Sequence, residues 1–478
     1  MRGTRQHPVT RVAVAAAVAA ALATGITADA LQAQTRATPN PSTDTITLTL
    51  ARALDIAGNN NAEYQKAENN LDLNAVGMRA TLFDDILPKP TFNLLNTGYH
   101  GNLQHHAVDP LGNPISASPS GWSYYSNTSQ SLYLSWTIQG ASLFYDYRGQ
   151  KLANESRDVA VAQQLNTMQV AVRRQYMTAL KQRDLLRTEK DLVAARKADK
   201  QMADRLFSVA KNNRVDVLNA ELAVEKQTLA VEQQRTAYEK ALLALRTQLG
   251  DEALGPIRLA DEPLRVFDPS SLDGGSMVRV ALHVNPDLRQ ADVGIDQSRE
   301  ALAEQHSLWW PSLSLSWYIG RSAQGARMKS LLDLTYNEPR DSYFSAQISF
   351  PMFNDFFRNR QQQAQAAVDL ANSRADARKQ RLTVEEKVRG ALLDLKNQYQ
   401  SLQTNKRAEQ IAEEALRLAR DQYRTGTGTF TDLRTAIDNE ANARRQVITS
   451  RYTFIDDLLT LEQEVGAPVG PQGAGAGS

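Results

Sequence analysis

From Gln150 to Leu249 the chain contains neither glycine nor proline, a run of one hundred residues. Proline breaks a helix and glycine weakens one, so their exclusion permits helices far beyond the usual three or four turns. Only Asn212-Asn213 offers a turn, splitting the run into about 62 and about 36 residues. At about 1.5 Å per residue the longer piece spans roughly 90 Å, too long to bury in one small globule. A second run, Met352 to Thr425, is interrupted only by Gly390, and Phe430 to Val465 again lacks both breakers. Leu192, Ala195, Met202, Leu206 and Val209, then Leu218, Leu222 and Leu229, form a narrow apolar stripe at three-four spacing. Such a stripe packs against neighbouring helices in coiled-coil fashion. A structural coiled coil and the wall of a tunnel both satisfy it.

The start of the chain reads as an export signal. Arg2, Arg5 and Arg11 precede the apolar run Val12 to Ala23, and small-residue sites follow for cleavage after Ala30 or Ala33. The run is too short for a membrane-spanning helix, which needs about 20 residues. No other stretch approaches that length. With no cysteine, the chain is not a disulfide scaffold. Its formal charge of +1 stays near neutral once the signal is removed, which argues against nucleic acid as a partner.

Two short segments switch from helical to period-2 patterning. Leu313, Leu315, Trp317 and Ile319 alternate with Ser312, Ser314, Ser316 and Tyr318. Phe344, Ala346, Ile348 and Phe350 alternate with Ser345, Gln347 and Ser349, and Leu132, Leu134, Trp136 and Ile138 alternate with Ser131, Tyr133, Ser135 and Thr137. Phe92 and Leu94 suggest a fourth strand. Small uncharged partners suit strands with lipid on one face and water on the other, while soluble hairpins with an aromatic core would show the same alternation. All five tryptophans, Trp122, Trp136, Trp309, Trp310 and Trp317, lie in or beside these hairpins, with Tyr343 nearby, and read as a membrane aromatic girdle. Four strands cannot close a barrel, and open edges in lipid cost several kcal/mol per unpaired group. Identical copies must therefore associate, two giving eight strands and three giving twelve.

The pattern is written twice. Asn61-Ala62-Glu63-Tyr64 corresponds to Asn285-Pro286-Asp287-Leu288, Pro90-Thr91-Phe92 to Pro311-Ser312-Leu313, Phe207…Asp216-Val217 to Tyr423…Asp432-Leu433, and Leu249-Gly250 to Val465-Gly466. This predicts a first structural repeat at 31–250, after a signal peptide at 1–30, and a second at 276–466. The first has helices 48–87 and 143–250 around a hairpin 90–139, and the second has helices 276–308 and 354–466 around a hairpin 311–353. Loops 98–129 and 320–342 read as extracellular, 251–275 as a Pro- and Gly-rich equatorial linker, and 467–478 as a flexible tail.

In this order, the opening Leu50 to Leu54, Asn285-Pro286-Asp287-Leu288, Trp310-Pro311-Ser312-Leu313, Ser349-Phe350-Pro351-Met352-Phe353 and Tyr423-Arg424-Thr425-Gly426…Thr431-Asp432-Leu433 resemble the TolC-like outer membrane efflux family, the outer membrane factors. The resemblance implies a mainly α protomer with a membrane β-barrel portion, internally duplicated as helix-strand-strand-helix-helix. It further implies a homotrimer with a twelve-stranded barrel in outer membrane lipid, continued by a long α-helical barrel in the periplasm. In such proteins a passive exit duct serves a tripartite efflux or type I secretion system, docking on a periplasmic adaptor (membrane fusion protein) and an inner-membrane pump of RND or ABC type. The docking tips carry over to Asn212, Asn213, Arg214, Gly426 and Thr427.

By the same resemblance Asp432 supplies a constriction ring, and Asp216 with Tyr423 ties neighbouring coils at an iris-like gate. Both aspartates equally suit helix N-termini, where Asp is a favoured cap. Gly428 and Thr435 depart from the family, standing where its best-known member has an arginine and a second ring aspartate; Ala210 replaces a usual glycine, and Asn354-Asp355 a Gly-Gly. No phosphate loop, H-E-x-x-H or G-x-S-x-G motif is present, and His105-His106 lacks further ligands, so neither enzyme, cofactor nor metal is expected. The other reading is a structural tether or adhesin that bridges the periplasm and uses a small barrel as its anchor.

Overall fold

The computed structural model describes residues 46–104, 111, 113, 121–139, 141–251, 254–325, 340–350 and 353–469. The predicted signal peptide, His105-His106, Pro351-Met352, the middle of both predicted extracellular loops and most of the tail lie outside them.

The fold is mainly helical. Three short helices, α1 (Leu50–Asn60), α2 (Ala62–Asn69) and α3 (Asp72–Ile86), lead into strands β2 (Lys89–Gln104) and β3 (Gly121–Gln139). The Gly- and Pro-free run then forms α4 (Ser142–Ser208) and α5 (Arg214–Leu249). The order recurs with α6 (Gly274–Val284), α7 (Pro286–Ser307), β5 (Ser312–Gly325), β6 (Arg340–Ser349), α8 (Phe353–Thr425) and α9 (Phe430–Val465). Gly390 sits within α8 with open space beside it, so one glycine does not end a helix already committed on both sides.

Where the sequence reads one helix at 48–87 and one at 276–308, the structure breaks both at an asparagine, and breaks the first again after Asn69. The Asn61 side chain accepts hydrogen bonds from Glu63 and Tyr64 N–H, and Asn285 accepts from Asp287 N–H. Each is thus an N-cap, satisfying donors that a helix start leaves orphaned. Their amides reach across the chain, Asn61 Nδ2 to Gln248 O and Asn285 Nδ2 to Glu464 O, both at 2.9 Å. The caps therefore lock α2 and α7 to the ends of α5 and α9. At Gly250 the backbone is left-handed, and a Cβ would fall 2.2 Å from Asn60 O, so that lock admits only glycine.

Two three-residue strands, β1 (Ile46–Leu48) and β4 (Ile257–Leu259), pair in parallel beside the middle of the helices. They are too short to leave a periodic signal. The buried Tyr176 hydroxyl lies 3.0 Å from Leu48 O and 3.1 Å from Ala260 O, pinning this pair to α4. Burial, with Glu262 nearby, pushes the Tyr176 phenol up to about 12, so it remains a donor at neutral pH. Two apolar cores flank this level, one around Val172, Tyr176 and Leu245, the other around Val388, Leu395 and Phe454, and a third lies at the helix tips.

The larger sheet is antiparallel in the order β2-β3-β5-β6. Its strands run further than the loop boundaries at 98 and 320 suggest: Gly98 pairs with Asn127, and Arg321 pairs with both Gln130 and Arg340. Glycine, serine and asparagine there satisfy their backbones by pairing without giving an apolar alternation. Among the described residues β2 and β6 each pair on one side only.

Helix tips, an ion-pair ladder and a two-faced sheet

The register of the sheet separates its faces. Phe92, Leu132, Leu134, Trp136, Leu313, Leu315, Trp317, Phe344 and Ile348 fall on one side. Ser131, Tyr133, Ser135, Ser314, Ser316, Tyr318, Ser345 and Gln347 fall on the other, joined by Asn93 to Ser131 (3.1 Å) and Ser316 to Ser345 (2.7 Å) hydrogen bonds. The apolar side is uncovered: Phe92 is 66% exposed and Ile348 64%. A bulge between Asn93 and Asn96 shifts β2 by a residue, and Trp122 with its stacked neighbour Tyr124 stays on the apolar side near the far end. Trp309, edge-on to Phe356 at 5.5 Å, and exposed Trp310 sit in the turn between α7 and β5.

Tyr343 requires a correction. It does not lie with the tryptophans, because pairing to Tyr318 places it on the polar face, while its neighbour Phe344 lies opposite Trp317. A single residue of register decides the face, and the aromatic cluster in the sequence could not reveal it.

At the other extreme of the molecule, α4–α5 and α8–α9 each turn in a few residues. Lys211 N–H closes on Leu206 O (2.8 Å) and Thr427 N–H on Gln422 O (3.0 Å), with Ala210 (φ 56°) and Gly426 (φ 84°) left-handed at matching positions. Asn213 caps α5 by accepting from Asp216 N–H (2.9 Å). Thr429 caps α9 by accepting from Asp432 N–H (3.2 Å), and the Asp432 carboxylate accepts from Thr429 Oγ1 (2.6 Å) and N–H (3.3 Å). The Thr429 hydroxyl, then its N–H, hold Asp432 below the usual carboxylate range. Asp432 is exposed one turn from Thr435, whose hydroxyl donates to Thr431 O. Both border a groove with Ile411, Ala415 and Asn439.

Tyr423 is buried at the junction, edge-on to Phe430 (5.7 Å). Its hydroxyl accepts from Asn212 Nδ2 (3.0 Å), which also donates to Ala203 O. Asn212 is therefore the group that hydrogen-bonds Tyr423 within this chain, with the half-buried Asp216 acting through its charge. Burial raises the Tyr423 phenol, the Asn212 hydrogen bond opposes this, and Asp216 adds to it. Arg214, Asn213, Gly426 and Thr427 are exposed at the turns. At Gly428 a Cβ would make a tight contact, 3.0 Å from Gln422 Cβ, while its N–H donates to Gln422 O.

Sequence reasoning missed a ladder above the tips. Buried Glu189 on α4 takes Arg445 of α9 through two contacts (2.5 and 2.9 Å) and Gln227 of α5 (2.5 Å). Buried Arg196 meets Asp438 (2.6 Å), and buried Asp199 meets Arg420 (3.2 and 3.3 Å). Burial alone would raise Glu189, but Arg445 and Gln227 hold it below its ordinary value. Positions 189 and 196 on α4 answer 445 and 438 on α9, one heptad apart on each antiparallel helix. Only charged residues on a stripe otherwise apolar could have signalled this.

No described helix is long and apolar enough to cross a membrane, and no described group of His, Cys, Asp and Glu could hold a metal. Comparison with curated proteins yields no sequence match. Among solved structures, CusC, reported to form a transmembrane channel, is 16% identical, with 88% of this chain and 93% of that chain covered at a TM-score of 0.68. The Campylobacter jejuni CmeC outer membrane channel is 17% identical over 87% and 85%, with a TM-score of 0.67. The open-state MtrE outer membrane channel of Neisseria gonorrhoeae is 16% identical over 87% and 88%, at 0.65. At such identities these establish the shared fold. The sequence of residues 277–467 matches the model of the outer membrane efflux protein family. That segment carries the chain's sequence likeness to the outer membrane efflux proteins, and the solved structures share the fold of the whole.

Proposed function

We propose that three copies of this chain form an outer-membrane exit duct with a gate at the helix tips. The observation that carries this reading is the four-stranded sheet, apolar on one face and polar on the other, in which β2 and β6 each pair on one side only among the described residues. In a bilayer each open N–H or C=O costs several kcal/mol. Joining β6 of one copy to β2 of the next removes that cost, and three copies close twelve strands with the apolar face toward lipid. Helices of 67 and 73 residues then continue the wall, reaching about 100 Å beyond the membrane.

The gate is the turn region. The Asn212–Tyr423 hydrogen bond and the ion-pair ladder favour the closed coils, Asp432 lines the narrowest ring, and opening is a population shift between two packings. The duct itself consumes no energy. A periplasmic adaptor and an inner-membrane pump, docking at Asn213, Arg214 and Thr427, would supply it.

Planar-bilayer recording of the detergent-extracted full chain tests this. Small conductance is expected from the wild type, with a several-fold rise for Tyr423→Ala or Asp216→Ala. A monomeric extract, or a protein that gives no pores with any variant, would leave a tether and sink the duct.

A further inference from the structure

We propose that the polar face of the sheet carries a binding shelf for planar organic cations, formed by Tyr133, Tyr318 and Tyr343 with Asp341 beside them. The inference rests on this face being the water-filled side of the duct, and it names a class of solute that lingers there.

Register builds the shelf. Tyr133 on β3 lies opposite Tyr318 on β5, which lies opposite Tyr343 on β6, so three phenols form one row across adjacent strands. The Tyr318 and Tyr343 rings stack with centroids 5.0 Å apart and planes at 22°. Rows of small side chains border them on the same face: Ser135, Ser316 and Ser345 on one side, Ser131 and Gly320 on the other. Tyr318 leans over Gly320, where a Cβ would stand 2.2 Å from its hydroxyl oxygen. Any larger residue at 320 would push the ring away. Tyr343 is 55% exposed, so the shelf is open to solutes.

Charge selects the ligand. In the row after the tyrosines Asp341 pairs with Gly320, and it is the one acid on this face of the described strands; Lys89 and His100 share the face but lie on β2, the edge strand opposite β6. The face of an aromatic ring carries negative charge density that attracts cations within about 6 Å. A flat cation can therefore stack on phenol and meet a carboxylate at once. A neutral solute has only the stacking, and an anion is repelled.

Ethidium block of single-channel current, measured on the full chain in planar bilayers, tests the shelf. Tyr318→Ser with Tyr343→Ser should raise the half-blocking concentration about fivefold, leaving potassium conductance near wild type. Asp341→Asn should raise it about twofold, and the Tyr318→Phe, Tyr343→Phe pair, which keeps the rings, should block as wild type does. Unchanged block in the conducting serine pair and in Asp341→Asn would overturn the shelf while the duct stands. If the serine pair fails to assemble, Asp341→Asn decides: unchanged block overturns the shelf. No pores from the wild type would remove both readings together.

Discussion

The two helix tips perform the same turn with different means. At the first, Ala210 takes the left-handed conformation that Gly426 takes at the second. An alanine there costs roughly 1 kcal/mol more than a glycine. The first tip starts its next helix with an uncharged cap, Asn213, and exposes Val209 and Val215. The second uses a reciprocal Thr429–Asp432 box and exposes Thr425 and Thr427. A strained, apolar turn thus faces a relaxed, polar one. The strained turn also donates the hydrogen bond to Tyr423, so the looser tip reaches across to the tighter one.

The largest test asks whether the tips or the ladder above them hold the coils together. Glu189→Ala leaves Arg445 and Gln227 without their shared partner in a buried site, and should cost about 3 kcal/mol. Asn212→Ala removes neutral hydrogen bonds and should cost about 1 kcal/mol. Denaturant unfolding of the extracted protein compares them directly. An equal or reversed ranking would place the main lock at the tips.

Exchange of the turn residues comes next. Gly426→Ala should destabilise by about 1 kcal/mol although nothing lies within 4 Å of the new Cβ, because the cost is in the backbone. Ala210→Gly should stabilise by roughly 0.5–1 kcal/mol. Melting shifts of the same sign for both would end the argument from strain. The caps should be nearly equal, with Thr429→Ala and Asn213→Ala each losing about 1 kcal/mol.

The smallest effect is one of pH. Asp432 has its folded carboxylate held low by Thr429, so its contribution is fully present above the ordinary carboxylate pKa. That contribution fades as pH falls below about 4 and through the depressed folded value. Asn213 does not titrate. Pepsin cleavage at falling pH should therefore reach the second tip before the first, and Asp432→Asn should erase the difference. Earlier cleavage at 209–213 in the wild type would contradict the assignment of the caps.

Much of the architecture was legible because it depends on local patterning. Exclusion of glycine and proline over Gln150 to Leu249 leaves few alternatives to long helices, and the Leu–Ser alternation of 312–319 can only sort its side chains onto two faces. Other features had no local signal. The β1·β4 pair is three residues long, and the breaks at Asn61 and Asn285 depend on carbonyls of Gln248 and Glu464 far along the chain. At the candidate gate, Asp432 stood out by position, whereas Asn212 gained its role only by meeting Tyr423.

The sequence alone determined helix length and strand alternation, because breakers and side-chain period act over neighbouring residues. The tertiary structure decided which charges meet across α4 and α9, which conformation Ala210 accepts, and that Tyr343 faces away from the tryptophans. Those outcomes depend on register between segments distant in sequence, and a shift of one residue would have reversed the last of them.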